Sequence, residues 1–153
     1  MKKLLVLALL LGGAHLVYRH FHRVVPIREY ERFADAWARG DTEEALQHAD
    51  GDQIHRTLKT KSLRALMDAR MMEAFHGTRY AVQSTASTPE GDLVLDVKQT
   101  IAFDPPGATT AVGGAMLASF RHVARLRKTT GGWKVVSFEP TFLEMGETRR
   151  QTR

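Results

Sequence analysis

The stretch FADAWARGDTEEALQHAD, residues 33–50, decides how the rest of the chain is read. Its first part continues a helical stripe. Tyr30, Phe33, Ala34, Trp37 and Ala38 fall at i, i+3, i+4, i+7 and i+8, which is one apolar face of a helix. Gly40 suits the left-handed position that ends a helix, because it has no Cβ to clash there. Asp41 caps the next helix at once, and Glu44 three residues later has the capping-box spacing. Glu43 and Glu44 sit where the helix dipole favours negative charge. This second helix is short: Ala45, Leu46 and Ala49 form its apolar face, and Asp50-Gly51-Asp52 ends it. A long helix therefore stops, reverses and lays a short one beside itself.

Working outward, Ser62 caps a further helical stretch with Leu63, Leu66, Met67, Met71, Ala74 and Phe75 on its buried stripe, and Gly77 stops it. The period then changes to two. Tyr80, Val82 and Ser84 alternate with Ala81, Gln83 and Thr85, and PEGD, residues 89–92, is a turn. Leu93, Leu95, Val97, Ile101 and Phe103 share one face of a long strand, with Gln99 in line among them. DPPGATTAVGGA, residues 104–115, reads as a long connection. Phe120, His122, Ala124 and Leu126 form one face of the next strand, and Arg121, Val123, Arg125 and Arg127 the other. TTGG, residues 129–132, is a hairpin turn, and Trp133–Phe142 is the last strand. Helices followed by an antiparallel meander predict an α+β fold, with N-terminal helices packed on a curved antiparallel sheet.

The chain has 153 residues, 43% of them hydrophobic and 25% charged, enough for one domain with a real core. Its net charge of +5 is not on the body. Residues 1–32 carry six Lys and Arg against two Glu, the last ten carry three Arg against two Glu, and residues 33–143 balance. A nucleic-acid binder gathers basic charge on its folded body, so no nucleic-acid partner is expected. The absence of cysteine excludes disulfides and thiolate metal sites.

The N-terminus, MKKLLVLALLLGGAHLVYRHFHR, has a basic start at Lys2-Lys3 and then an apolar run, the pattern of an export signal. Residues 1–26 are therefore set apart as a signal or anchor with a basic flank, 27–143 as the domain, and 144–153 as a basic flexible tail. The run Leu4–Tyr18 is shorter than the ~20 residues that cross a bilayer, and the aromatic-basic border from Tyr18 to Arg23 extends it. No polar stretch precedes Gly12-Gly13-Ala14, which favours a retained anchor over cleavage. The expected address is the inner membrane with the domain facing the periplasm or outside; cleavage would release a secreted domain. His15, His20 and His22 have no acid near them before Glu29, so they are read as solvated or headgroup-facing and no metal is expected.

The opening FADAWARGDTEEALQHAD, together with the closing RLRKTTGGWKVVSFEPTFLE of residues 125–144, resembles the nuclear transport factor 2-like superfamily, also called SnoaL-like. The resemblance covers roughly residues 27–143. It implies a cone-shaped α+β barrel with a pocket between the long helix and the concave sheet. Members include isomerases, cyclases, dehydratases, transport adaptors and secretion-system parts, so the fold leaves function open. The steroid-isomerase branch has a tyrosine eight residues before the Gly-Asp aspartate, where this chain has Phe33. It has a carboxylate base after the second helix, where this chain has Ile54, His55 and Arg56. It has a second oxyanion donor on the penultimate strand, where this chain has Arg121 and His122. None of the three roles is filled.

By alternation His122 points towards the helices, as Gln99 does on the neighbouring strand, and Tyr80 joins them from the first strand. Phe33, Trp37, Tyr80, Gln99, Phe120 and His122 are thus the expected lining of a pocket for a small apolar molecule. The same groups fit a plain core in which His122 and Gln99 satisfy each other or the backbone. On the opposite face Arg121, Arg125, Arg127 and Lys128, widened by Lys98, form a basic stripe. It reads as a solvated face, or as one that meets an acidic partner or anionic headgroups. No HExxH, P-loop, dinucleotide fingerprint or GxSxG elbow is present. The expected function is a membrane-anchored or exported, non-catalytic module that binds a small apolar ligand or a protein partner, without cofactor. Competing expectations are a small isomerase or hydrolase using His122, and an assembly component of an envelope complex. A homodimer through the sheet is a further expected contact. An inward carboxylate within reach of His122 favours the enzyme.

Overall fold

The structure is a computed structural model, and the residues it describes are 12–14, 18, 20–60, 75–103 and 116–147. A π turn over His20–Val24 runs into helix α1, Val25–Arg39. Pro26 stands in the first turn of α1, where its missing N–H is no loss. α1 buries the expected stripe, Tyr30, Phe33, Ala34, Trp37 and Ala38, together with Ala36. Gly40 closes it at φ 72°, with its N–H on the Trp37 carbonyl, while the Asp41 N–H reaches the Ala36 carbonyl at 2.9 Å. These are the two bonds of a Schellman close.

Asp41 then caps helix α2, Thr42–Gln47, by accepting the Glu44 N–H at 2.9 Å. The other half of the expected capping box is replaced. The Asp41 N–H that Glu44 would receive is already given to Ala36, and the Glu44 carboxylate pairs with Arg39 instead. α2 stops before the expected Ala49, because that residue joins a parallel bridge to Val135. The Val135 N–H donates to the His48 carbonyl at 3.0 Å, and the Asp50 N–H to the Val135 carbonyl at 2.9 Å. Helix α3, Asp52–Thr60, follows and buries Ile54 and Leu58. It went unread in the sequence, where its apolar face is only those two residues.

The helix expected from Ser62 lies outside the described residues, except for its end. There the structure corrects it: Phe75 opens strand β1, Phe75–Ser87, paired with Phe103, and Gly77 lies inside the strand. Strands β2 (Leu93–Phe103), β3 (Met116–Thr129) and β4 (Gly132–Glu147) complete an antiparallel sheet in the order β1-β2-β3-β4. The chain is α+β, as expected. β2 alternates buried and half-buried without a break, with Gln99 on the buried face. β4 runs past Phe142 because Glu144–Glu147 pair with Met116–Ser119, so the first residues of the expected tail are strand. Register shifts on β1, and between β3 and β4 near Phe120 and Leu126, bend the sheet locally.

α1 covers the inner face of β3 and β4. Phe33 meets Phe138 edge-on at 4.9 Å between ring centres, and Trp37 meets Phe120 at 5.8 Å. At the other end of the helix the Trp133 indole N–H donates to the Phe21 carbonyl at 3.2 Å, which fastens the π turn to the β3–β4 hairpin. The expected anchor, Leu4–Tyr18, lies mostly outside the described residues. Among the described residues no helix is long and apolar enough to cross a membrane.

Candidate functional site

Strand register arranges the inner side chains in rows across the sheet. One row is Tyr80, Gln99, Phe120 and Phe142, and the next is Val82, Val97, His122 and Pro140. Gln99 and His122 are therefore diagonal neighbours on adjacent strands.

His122 is fully buried. Its Nδ1 and the Tyr30 hydroxyl are 2.7 Å apart. The rings of Phe138 and Trp37 meet it edge-on, with centres at 4.8 and 5.0 Å. Burial pushes its pKa from 6.5 down to about 3, so the ring is neutral at physiological pH. Burial first, and then the field of Tyr80, pushes the Tyr30 hydroxyl far above its usual range, so it keeps its proton. With the phenol donating to Nδ1, the ring proton sits on Nε2; in the other tautomer Nε2 is a bare acceptor. In either state Nε2 has no hydrogen-bond partner among the described residues.

Gln99 is also fully buried. Its amide nitrogen donates to Thr78 Oγ1 at 3.1 Å and to the Tyr80 hydroxyl at 3.2 Å. The Tyr80 hydroxyl in turn donates to Asp35 Oδ1 at 2.6 Å. Burial, and then this bond to a carboxylate, raises the Tyr80 pKa well above normal. Both donors of the Gln99 amide are thus committed, while its Oε1 has no hydrogen-bond partner among the described residues.

The structure brings the six expected residues together. Phe33, Trp37, Phe120 and His122 share one cluster of rings, and Tyr80 and Gln99 share one hydrogen bond. His122 and Gln99 do not satisfy each other, since each has its own partners and one polar atom left over. A series of ring contacts runs inward from the surface: Phe142, 49% exposed, to Phe120 at 5.5 Å, to Trp37, to His122. Sequence reading missed Tyr30, Asp35, Thr78 and Phe138. Tyr30 carried a signal, because a phenol inside an apolar helical stripe needs a partner. Asp35 lies off that stripe and carried none.

The carboxylates go elsewhere. Asp35 bonds Tyr80 rather than His122, and Glu139 is exposed opposite Val123. On the outer face the basic stripe is largely neutralised. Arg121 holds Asp96 in a two-point fork at 3.0 and 2.6 Å, and Arg127 holds the buried Asp92 at 2.9 and 2.8 Å. Arg125 lies 3.7 Å from Asp92, and Lys98 3.0 Å from Glu144. The arginine hydrogen bonds hold Asp92 and Asp96 below the usual carboxylate range. Among the described residues no group of three His, Asp or Glu is arranged to hold a metal. An open cleft of about 490 Å³ lies at the far end of the sheet, lined by Tyr18, His22, Arg23, Thr85, Ala86, Ser87 and Leu93.

No family model matches the chain, and no solved structure matches it. Among curated proteins, GTP cyclohydrolase 1 of Brucella anthropi is 28% identical over 97 residues, which cover 61% of this chain and 46% of that protein. The chain spans less than half the length of the relative it matches.

Proposed function

We propose that the chain is a nuclear transport factor 2-like binding module, non-catalytic and held outside the cytoplasm by its N-terminal segment. It takes a small, mostly apolar molecule that carries a hydroxyl group. One observation carries this reading: Gln99 Oε1 and His122 Nε2 are buried, lie on diagonally neighbouring residues, and have no hydrogen-bond partner among the described residues. Each such atom costs about 1–3 kcal/mol. A ligand hydroxyl removes both costs, donating to the Gln99 carbonyl and accepting from the His122 N–H. The surrounding Trp37, Phe120 and Phe138 suit an apolar body.

The long helix over a four-stranded meander, behind a helix–Gly-Asp–helix opening, supports the cone-like fold. The apolar run after Lys2-Lys3 supports the address. His122 is bonded to a phenol rather than a carboxylate, and its pKa of about 3 is far from that of a base working near neutrality. Both features support binding over proton transfer.

The test is a set of thermal melts of the chain with cyclic alcohols and with the matching hydrocarbons. Alcohols are expected to raise Tm more than their hydrocarbons. The double variant Tyr30→Phe/His122→Leu removes the imidazole without stranding the phenol; it stays folded and loses the preference. Equal effects of alcohol and hydrocarbon on the unaltered protein, or no effect of either, overturn the reading.

A further inference from the structure

We infer that the cleft between the N-terminal π turn and the β1–β2 hairpin binds a phosphate-type anion, presented either as a phospholipid headgroup or as a free phosphate. The inference is independent of the pocket proposed under the sheet. It begins with a break in the pattern of the inner face. In the two rows at this end, β2, β3 and β4 contribute Leu95, Ala124 and Phe138, then Leu93, Leu126 and Val135, all buried and apolar. β1 completes those rows with Thr85 and Ser87, both exposed. Neither hydroxyl has a hydrogen-bond partner among the described residues, so both are available as donors.

Across the cleft stand His22 and Arg23, carried by the π turn. Their placement is built. The Trp133 indole holds the Phe21 carbonyl, and the His22 ring stacks on Tyr18 with centres 4.3 Å apart. Arg23 is exposed and forms no ion pair among the described residues, whereas Arg121, Arg125 and Arg127 each face a carboxylate. The nearest acids along the lining strands do not compensate it. Asp92, next to Leu93, is committed to Arg127 and Arg125, and Glu90 is bonded to Thr88 within the turn.

A guanidinium, two hydroxyls and an imidazole line the cleft from two walls. That is more donors than the two oxygens of a planar carboxylate use, and it suits the tetrahedral oxygens of a phosphate. The cleft, at about 490 Å³, is roomier than a bare phosphate needs, and Leu93 and Tyr18 offer apolar contact to whatever the phosphate is attached to. Tyr18 ends the apolar N-terminal run, so a headgroup source lies within reach if that run sits in a membrane.

The test is calorimetric titration of the purified chain with inorganic phosphate and with monomeric dihexanoyl phosphatidic acid. Binding of at least one is expected, with a loss of about tenfold or more in Arg23→Gln and again in Thr85→Val/Ser87→Ala. The short lipid binding about tenfold or more tighter than phosphate assigns a headgroup source, and comparable affinities assign free phosphate. Failure of both to bind at about 10 mM overturns the inference, as does binding that either variant leaves unchanged. Both variants change exposed side chains, and an unaltered Tm shows that any loss is not unfolding.

Discussion

Arg121 and His122 are consecutive residues whose side chains leave β3 on opposite faces, and the two faces handle polar groups differently. On the outer face Arg121 forks onto Asp96, and Arg127 and Arg125 surround Asp92. On the inner face the polar groups are neutral and few, and their bonding stops one atom short at both Gln99 and His122. Water makes the exposed Arg121–Asp96 pair easy to form and of little worth, because exposed ion pairs gain little over their hydrated partners. Burial makes the inner arrangement expensive. The outer face also leaves one buried atom without a hydrogen bond, Arg125 Nε, but that atom lies 3.7 Å from the Asp92 carboxylate, so the inner face is where a ligand is to be sought.

The sharpest way to break this comparison is acid. The folded pKa of His122 is about 3, below the 6.5 of the exposed ring, so the unfolded chain binds a proton that the folded chain refuses. Stability is therefore complete above pH 6.5 and is lost as pH falls from there towards 3, by an amount on the order of 5 kcal/mol. A Tm profile between pH 7 and pH 4 is expected to fall in the native protein and to flatten in Tyr30→Phe/His122→Leu. Parallel profiles would show that the inner face does not resist protonation. The outer carboxylates act in a lower window: Asp92 and Asp96 are held below their usual pKa, so their contribution is lost only as pH drops below about 3.8.

A smaller effect sharpens the comparison by separating burial from side. Asp92 is on the charged side but buried, and Arg127→Ala leaves it facing only Arg125 at 3.7 Å. That variant is expected to lower Tm by several degrees, because a buried carboxylate loses its main partner. Arg121→Ala is expected to have the smallest effect, under about 2 °C and erased by molar salt, since the Arg121 side chain is 56% exposed. If the two arginine variants behave alike, side rather than burial governs these pairs.

Much of this arrangement was legible in the sequence. Period-two alternation placed Gln99 and His122 inward and Arg121 outward, because each strand residue faces opposite to its neighbours. Gly40 and Asp41 marked the helix break, because left-handed backbone and an N-cap are chemical requirements at single positions. The bonding of the inner groups was not legible. Tyr30 and His122 are 92 residues apart, and Tyr80 and Asp35 are 45 apart. Only the packing of α1 on the sheet brings them together. α3 escaped because two apolar residues make too weak a stripe, and Phe75 was misassigned because an apolar residue at a period boundary fits both patterns. The cleft beside Arg23 combines the N-terminal flank with β1, and no local pattern joins those two segments.

The bridge at Val135 has a consequence for the protein in a crowded solution. β4 is an edge strand of 16 residues, long enough to recruit a strand from another chain. His48 and Asp50 already occupy both the N–H and the carbonyl of Val135. Pro140, five residues on, has no N–H to offer. An incoming strand therefore meets an occupied site and then a missing donor before it can zip along the edge. The segment that reverses α1 into α2 and returns to the sheet thus also serves as a stopper against fibre growth.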